Sequence, residues 1–222
     1  MKIKLLGVRS SVPSSPDSGQ MYGINTPSIL VELDDSTSFV FDAGTGIRHY
    51  KPDDQENIFL LLSHQHWDHI QGFPFWKPIY TEGQKINIYS SGYENQWPIL
   101  TQLDNVSFPI HYSNLPSQIQ TKDLSEFSSD FIAATGIDDF SIEFVLLHHP
   151  GGAYGCKFSH RGVKVAFLFD HEITSLDLGP KRQEWLSLIS DCSMVVHDLQ
   201  YTSGVDEQYR GWGHTFDKDL SN

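Results

Sequence analysis

At 222 residues, with 39% hydrophobic and 19% charged content, the chain is long enough to bury a substantial core and reads as one soluble globular domain, 1–222. Acidic residues outnumber basic ones 28 to 15, a formal net charge of -13, with no evident Lys/Arg cluster; a protein that grips extended nucleic acid normally presents a basic surface, so that class is disfavoured. No stretch has the apolar length needed to span a membrane, the N-terminus is too short in its apolar part for a secretory signal, and two cysteines, Cys156 and Cys192, make no disulfide framework, so a cytoplasmic location is expected.

Residues 2–6 alternate lysine with apolar residues, the pattern of a strand with one wet face. A Ser/Pro loop follows over 8–16. Segments 28–33 and 39–41 read as a hairpin turned at 34–36, and its second strand ends in Asp42-Ala43-Gly44-Thr45-Gly46. That Gly-x-Gly lacks the helix-opening lysine of a phosphate loop, and a tight turn beneath the next loop is the favoured reading. Residues 57–62 form a continuous apolar run, as a buried strand does. It passes directly into Ser63-His64-Gln65-His66-Trp67-Asp68-His69. A strand covered on both faces cannot continue into such a sequence, so the cluster belongs to a loop at the strand end, with a helix opening at Ile70.

Residues 70–76 supply a short helical or irregular aromatic segment, and 85–89 another strand. From 90 to 129 prolines and polar residues break the pattern. A crossing segment or lid is predicted there, with Tyr93, Trp97, Phe108 and Tyr112 lining a pocket or packing the connection onto the body. A second strand series begins at 140–147 and leads into His148-His149-Pro150-Gly151-Gly152. Strands 154–158 and 163–169 pair around a turn at 160–162, the latter ending in Asp170-His171-Glu172. Residues 180–189 read as an amphipathic helix opened by proline, 193–196 as a buried strand ending in His197-Asp198, and Gly211-Trp212-Gly213-His214-Thr215 as a loop before a helix at Phe216. Several apolar strands thus end in His or Asp, and strand C-terminal edges are where sheets present chemistry. The two halves share this layout, which fits an α/β class and a four-layer αβ/βα sandwich of two sheets.

His64 and His66 lie two apart, so an extended loop turns both to one side, and Asp68 and His69 follow at once. Imidazole nitrogen with carboxylate oxygen suits zinc and other first-row divalent metals. Histidine tags chelate as well, but they do not stand behind a buried strand. This His-x-His-x-Asp-His motif resembles the signature of the metallo-β-lactamase superfamily, and the resemblance runs from Gly7-Val8-Arg9-Ser10-Ser11-Val12-Pro13 to Gly211-Trp212-Gly213-His214-Thr215.

Residue by residue, the resemblance implies two divalent ions, zinc or alternatively manganese. His64, His66 and His149 would hold one, Asp68, His69 and His214 the other, and Asp170 would bridge them. His149 is preferred to His148 because it immediately precedes Pro-Gly-Gly, as in relatives. Asp170 has the alternative role of capping a turn. His214 lies in a Gly-His-Thr sequence similar to that of the ribonuclease Z branch. His197-Asp198 resembles the His-Glu pair of the same branch, which implies His197 as general acid and Asp198 as its orienting carboxylate; a histidine merely capping a strand end is the alternative. Asp68 counts among the catalytic residues as well as the ligands.

The bridging Asp170 and the Gly-His-Thr loop resemble the phosphodiesterase side of the superfamily. Similarity to ribonuclease Z, phosphoribosyl cyclic phosphodiesterase and cyclic-nucleotide-degrading enzymes is comparable. The charge balance favours a small anionic phosphodiester, a cyclic nucleotide or cyclic phosphate, whose base could stack on Trp76, Trp97 or Tyr154. Alternatives are an RNA endonuclease, a thioester hydrolase and a catalytically idle metal-binding paralogue; diiron redox chemistry on this fold typically replaces a histidine of the first motif by an acid, and His66 speaks against it. Relatives continue past the position of Asn222 with a helix and a last strand. The resemblance therefore predicts a sandwich lacking both, with an apolar edge that invites a homodimer or instability. Cys156 stands where relatives commonly have tyrosine.

Overall fold

The computed structural model describes residues 1–14, 22–34, 37–52, 57–92, 96–173 and 180–220. The end of the Ser/Pro loop, residues 35–36 of the first hairpin turn and Tyr93 lie outside these. The chain divides into two compact units, Met1–Gly136 and Ile137–Asn222.

The first unit is built on a six-stranded sheet of order β1-β2-β3-β4-β5-β6, comprising Lys2–Gly7, Ser28–Glu32, Ser38–Phe41, Asn57–Leu61, Lys85–Tyr89 and Gln118–Lys122. β1 pairs antiparallel with β2 and β2 with β3, whereas β3 to β6 run parallel to one another. Parallel strands are covered on both faces, and β3 and β4 read accordingly as unbroken apolar runs. Because side chains alternate across a sheet, Val40, Ile58, Leu60, Ile86 and Ile88 turn to one face, where Ile47, Phe73, Trp76, Ile79, Ile99 and Leu103 complete a core. Phe39, Phe59 and Tyr89 turn to the other. There they meet Phe127 and Phe131 of the helix Phe127–Thr135 at ring-centroid distances of 5.0 to 5.7 Å. That helix ends at Gly136, whose φ of 70° is the left-handed C-terminal conformation glycine favours.

This corrects the crossing segment or lid predicted over 90–129. That stretch supplies β6, which extends the sheet beside β5, and leads into the helix Phe127–Thr135 that covers one face. Trp76 is likewise not a stacking platform. It is wholly buried, its Nε1–H donates to Tyr50 O at 3.0 Å, and its ring lies over Tyr50.

The second unit carries a four-stranded sheet of order β10-β9-β8-β7, with β7 Phe140–Leu147, β8 Ala153–His160, β9 Val163–Leu168 and β10 Met194–His197. The first three form an antiparallel meander, and β10 joins parallel to β9 after the helix Pro180–Ile189. Trp185 of that helix packs with Leu147, Ala153, Ala166 and Leu168 and donates its Nε1–H to Leu146 O at 3.2 Å. β10 is an edge strand whose Met194 and Val195 are exposed, not the buried strand its apolar sequence predicts. β7, β9 and β10 point the same way, so their C-terminal ends, with His149, Asp170 and Asp198, lie along one edge. Among the described residues no helix is long and apolar enough to cross a membrane.

Candidate metal-binding residues

In the first unit the chain leaves β4 at Leu61 and reaches a four-residue helix, Trp67–Ile70. Asp68 and His69 therefore sit inside that helix, three positions earlier than an opening at Ile70 would place it. The ring of His64 lies 4.4 Å from that of His66 and 4.3 Å from that of His69, centroid to centroid. His64 and His69 are buried, Asp68 is half-buried and His66 is exposed. Asp68 Oδ2 accepts the Ser11 backbone N–H at 3.0 Å and lies 3.6 Å from His69 Nε2. All four predicted donors of this unit thus converge within the 64–69 segment.

The segment is strapped down from beneath by the 42–46 turn. Ala43 N–H donates to His69 O, and Gly72 N–H to Ala43 O. A Cβ on Gly44 would stand 2.5 Å from Asp68 O, so only glycine lets the two backbones approach. Asp42 does more than turn the chain. Its carboxylate is wholly buried, accepts from Ser63 N at 2.8 Å and from Ser63 Oγ, and accepts His69 Nδ1–H at 2.8 Å. In the sequence it reads as part of a glycine-rich turn; the signal of its role is an acid placed at the end of an apolar strand.

In the second unit the Nε2 of His149 lies 3.5 Å from Asp170 Oδ2, and ligand atoms of Asp170, Asp198 and His214 all fall within 4.8 Å of one another. His149, Asp170 and His214 are buried. His148 is exposed and its Nδ1 meets Glu172 O. His149 Nδ1–H donates to Gly213 O at 2.9 Å, and His214 Nδ1–H to Asp198 Oδ2 at 2.8 Å. Asp42 and Asp170 share one backbone feature: each follows an apolar strand in the left-handed region, with φ of 62° and 50°. Aspartate tolerates this better than most side chains, yet holding it there costs about 1–3 kcal/mol.

A second unforeseen group is Glu172. Its buried carboxylate accepts the backbone N–H groups of Gly211 and Gly213 at 2.8 to 3.0 Å, fixing the loop that delivers His214. Like Asp42, it follows a strand end, β9, where it stands beside Asp170 and His171.

The His197–Asp198 pair departs from the expected form of an acid with its orienting carboxylate. His197 Nδ1–H donates to the carbonyl of Asp198 at 2.6 Å, and its Nε2 meets His171 Nδ1 at 3.0 Å. The carboxylate of Asp198 serves His214 instead. Burial lowers the pKa of His197, and burial with the neighbouring His197 takes His171 down to about 3. With Asp198 O able only to accept, the neutral His197 carries its proton on Nδ1 and takes one from His171 at Nε2. Both ring nitrogens of His197 are engaged within the fold in this arrangement.

The residues fit divalent cations. Three buried imidazoles, His69, His149 and His214, give Nδ1–H to an acceptor that cannot donate, so in each the lone pair is on Nε2. A histidine held in this tautomer by a carboxylate or carbonyl is the arrangement proteins use to present Nε2 to a metal.

No protein-family model matches the sequence, and no curated protein matches it. Among solved structures the chain is similar to the short form of human tRNase Z, with 16% identity, a TM-score of 0.62, and coverage of 100% of this chain and 86% of that one. It is similar to the metallo-β-lactamase fold protein YhfI from Bacillus subtilis, with 14% identity, a TM-score of 0.61, and coverage of 96% and 77%. A diphosphatase of the PhnP family gives 16% identity, a TM-score of 0.56, and coverage of 98% and 79%. The chain has the metallo-β-lactamase fold.

Proposed function

We propose that this protein is a metal-dependent hydrolase of phosphodiester bonds, acting on a small anionic substrate such as a cyclic nucleotide or cyclic phosphate. The observation that carries this reading is the fixed tautomer of His69, His149 and His214, each aimed by a partner at Nδ1. Ligand histidines in metal sites are regularly oriented by such second-layer partners. His64, His66, Asp68 and His69 of the first unit and His149, Asp170 and His214 of the second would hold two divalent cations. Nitrogen with carboxylate oxygen favours zinc, with manganese the other candidate. When bound, such ions polarise a phosphoryl oxygen and lower the pKa of a bound water towards neutrality.

The chain's own residues orient and hold. Asp42 fixes His69, Asp198 fixes His214, Gly213 O fixes His149, and Ser11 N–H holds one oxygen of Asp68. In this arrangement Asp198 serves a ligand histidine rather than a general acid. Phosphoryl chemistry is favoured over other reactions of the fold because two of the similar structures are a tRNase Z and a diphosphatase. The net charge of -13 favours a small substrate over an RNA.

The test is hydrolysis of bis(p-nitrophenyl) phosphate by metal-loaded protein, with a thioester assayed beside it and Asp68→Ala as control. Phosphodiester turnover that the substitution abolishes supports the proposal. Thioester turnover alone, or none with two metals bound, refutes it.

A further inference from the structure

The first unit contains a cavity of about 470 Å³, within the size range of small-molecule sites. Its wall combines the rings of Trp67, Phe75 and Phe108 with the carboxamides of Gln65, Gln71 and Gln102, and among the described residues lining it none is charged. Two of the lining residues come from the ligand segment: Gln65 stands between His64 and His66, and Trp67 between His66 and Asp68. Trp67 is 73% exposed and Phe75 63%. Large rings so placed cost hydration that a core position would recover. Phe75 and Phe108 meet edge to face at 5.5 Å, which sets the two rings at right angles around the opening.

Gln65 anchors one side of the wall: it is 5% exposed and its Oε1 accepts the Ile99 backbone N–H at 3.1 Å, tying the ligand segment to the helix Pro98–Thr101. We infer that this cavity binds a neutral heteroaromatic ring, a nucleobase, of the phosphodiester substrate, stacked on one of the aromatic rings Trp67, Phe75 and Phe108 with the others at its edge, and with the carboxamides of Gln71 and Gln102 along its polar edge. An aliphatic group would use the rings but not the amides, and a charged group would find no counter-charge in this wall. The inference rests on the proposed hydrolase activity for the rest of the substrate, but the ring site can be tested by itself.

The experiment is calorimetric titration of the full, metal-loaded chain with adenosine 5′-monophosphate, ribose 5-phosphate and adenosine. Stacking on aromatic side chains predicts that the nucleotide binds about 10-fold or more tightly than the sugar phosphate, and that adenosine alone binds measurably. In Phe75→Ala/Phe108→Ala protein that advantage should fall to about 3-fold or less, with the fold checked by circular dichroism. Thr101→Trp, an exposed position on the rim, fills the cavity without deleting a core ring and should cancel the advantage equally. Equal affinity for nucleotide and sugar phosphate, or an advantage that survives both variants, overturns the inference. Phosphodiester hydrolysis without base preference removes the ring site and leaves the hydrolase; adenosine binding without hydrolysis does the reverse.

Discussion

Asp42 Oδ2 lies 2.8 Å from His69 Nδ1, and neither side chain has any solvent exposure. Asp42 follows the end of β3, and His69 lies in the short helix Trp67–Ile70 that follows β4, the parallel neighbour of β3. The carboxylate has no proton to give, so the contact fixes the imidazole in the Nδ1–H form and presents Nε2 as a base.

Replacing Asp42 by Asn keeps the shape and removes one acceptor oxygen. The new amide must face either His69, forcing its proton to Nε2, or Ser63 N–H, setting donor against donor. Zinc affinity should fall about 10- to 100-fold, the cost typical of losing such a partner. Competition against a chromophoric chelator measures it, and wild-type affinity in Asp42→Asn protein would remove the role assigned to this pair.

Glu172 should act on His214 through the backbone. Its two oxygens take three N–H contacts from Gly211 and Gly213, and glutamine can satisfy them with only one. We expect Glu172→Gln to destabilise the protein by about 1–3 kcal/mol. The rise in melting temperature on adding zinc should shrink as well, because ligand stabilisation follows affinity. A melting temperature and zinc response both equal to wild type would mean that the loop is held by other contacts.

The hydroxyl of Tyr50 gives a prediction at alkaline pH. Burial raises its pKa to about 12 from an ordinary 10, against a smaller opposing effect of the bond with Ser38. A folded-state pKa above the unfolded one favours the protonated form in the fold. That stability is complete below pH 10 and is lost as pH rises through 10 to about 12. Two units correspond to roughly 2–3 kcal/mol. Tyr50→Phe should lose about 1 kcal/mol at neutral pH with its hydrogen bond, and then decline less steeply than wild type above pH 10. Parallel urea titrations across that range decide the point; identical slopes would show that Tyr50 does not carry the alkaline loss.

How far the sequence discloses this molecule follows from what its elements touch. Strand β4 is apolar from Ile58 onward because its side chains are buried on both faces, and β5 alternates Lys and Asn with buried Ile, so both spans are visible to within a residue. β6, Gln-Ile-Gln-Thr-Lys, lies at the sheet edge with half-exposed side chains, and nothing in its pattern separates it from a loop. β10 misleads in the opposite direction, since Met-Val-Val looks buried while its edge position leaves it open. The metal motif was legible because its ligands are local, from His64 to His69. Asp42 and Glu172 are not, because each acts on a residue 27 or 39 and more positions away, a distance that no local pattern encodes.

The most discriminating substitution lies at Gly213. Its φ is 93°, and a Cβ there would stand 2.1 Å from His149 Nδ1 and 2.4 Å from Pro150 Cδ. Gly211, two residues earlier, has nearly the same conformation, with φ of 88°, but nothing within 4 Å of an added Cβ. Both alanine variants carry the left-handed penalty of about 1–2 kcal/mol. Only Gly213→Ala also drives the His149 ring from the carbonyl that fixes its tautomer. Zinc affinity should therefore fall at least about 10-fold in Gly213→Ala and much less in Gly211→Ala, although both melt earlier than wild type. Equal losses of affinity in the two variants would mean that loop strain, and not the position of His149, controls metal binding in the second unit.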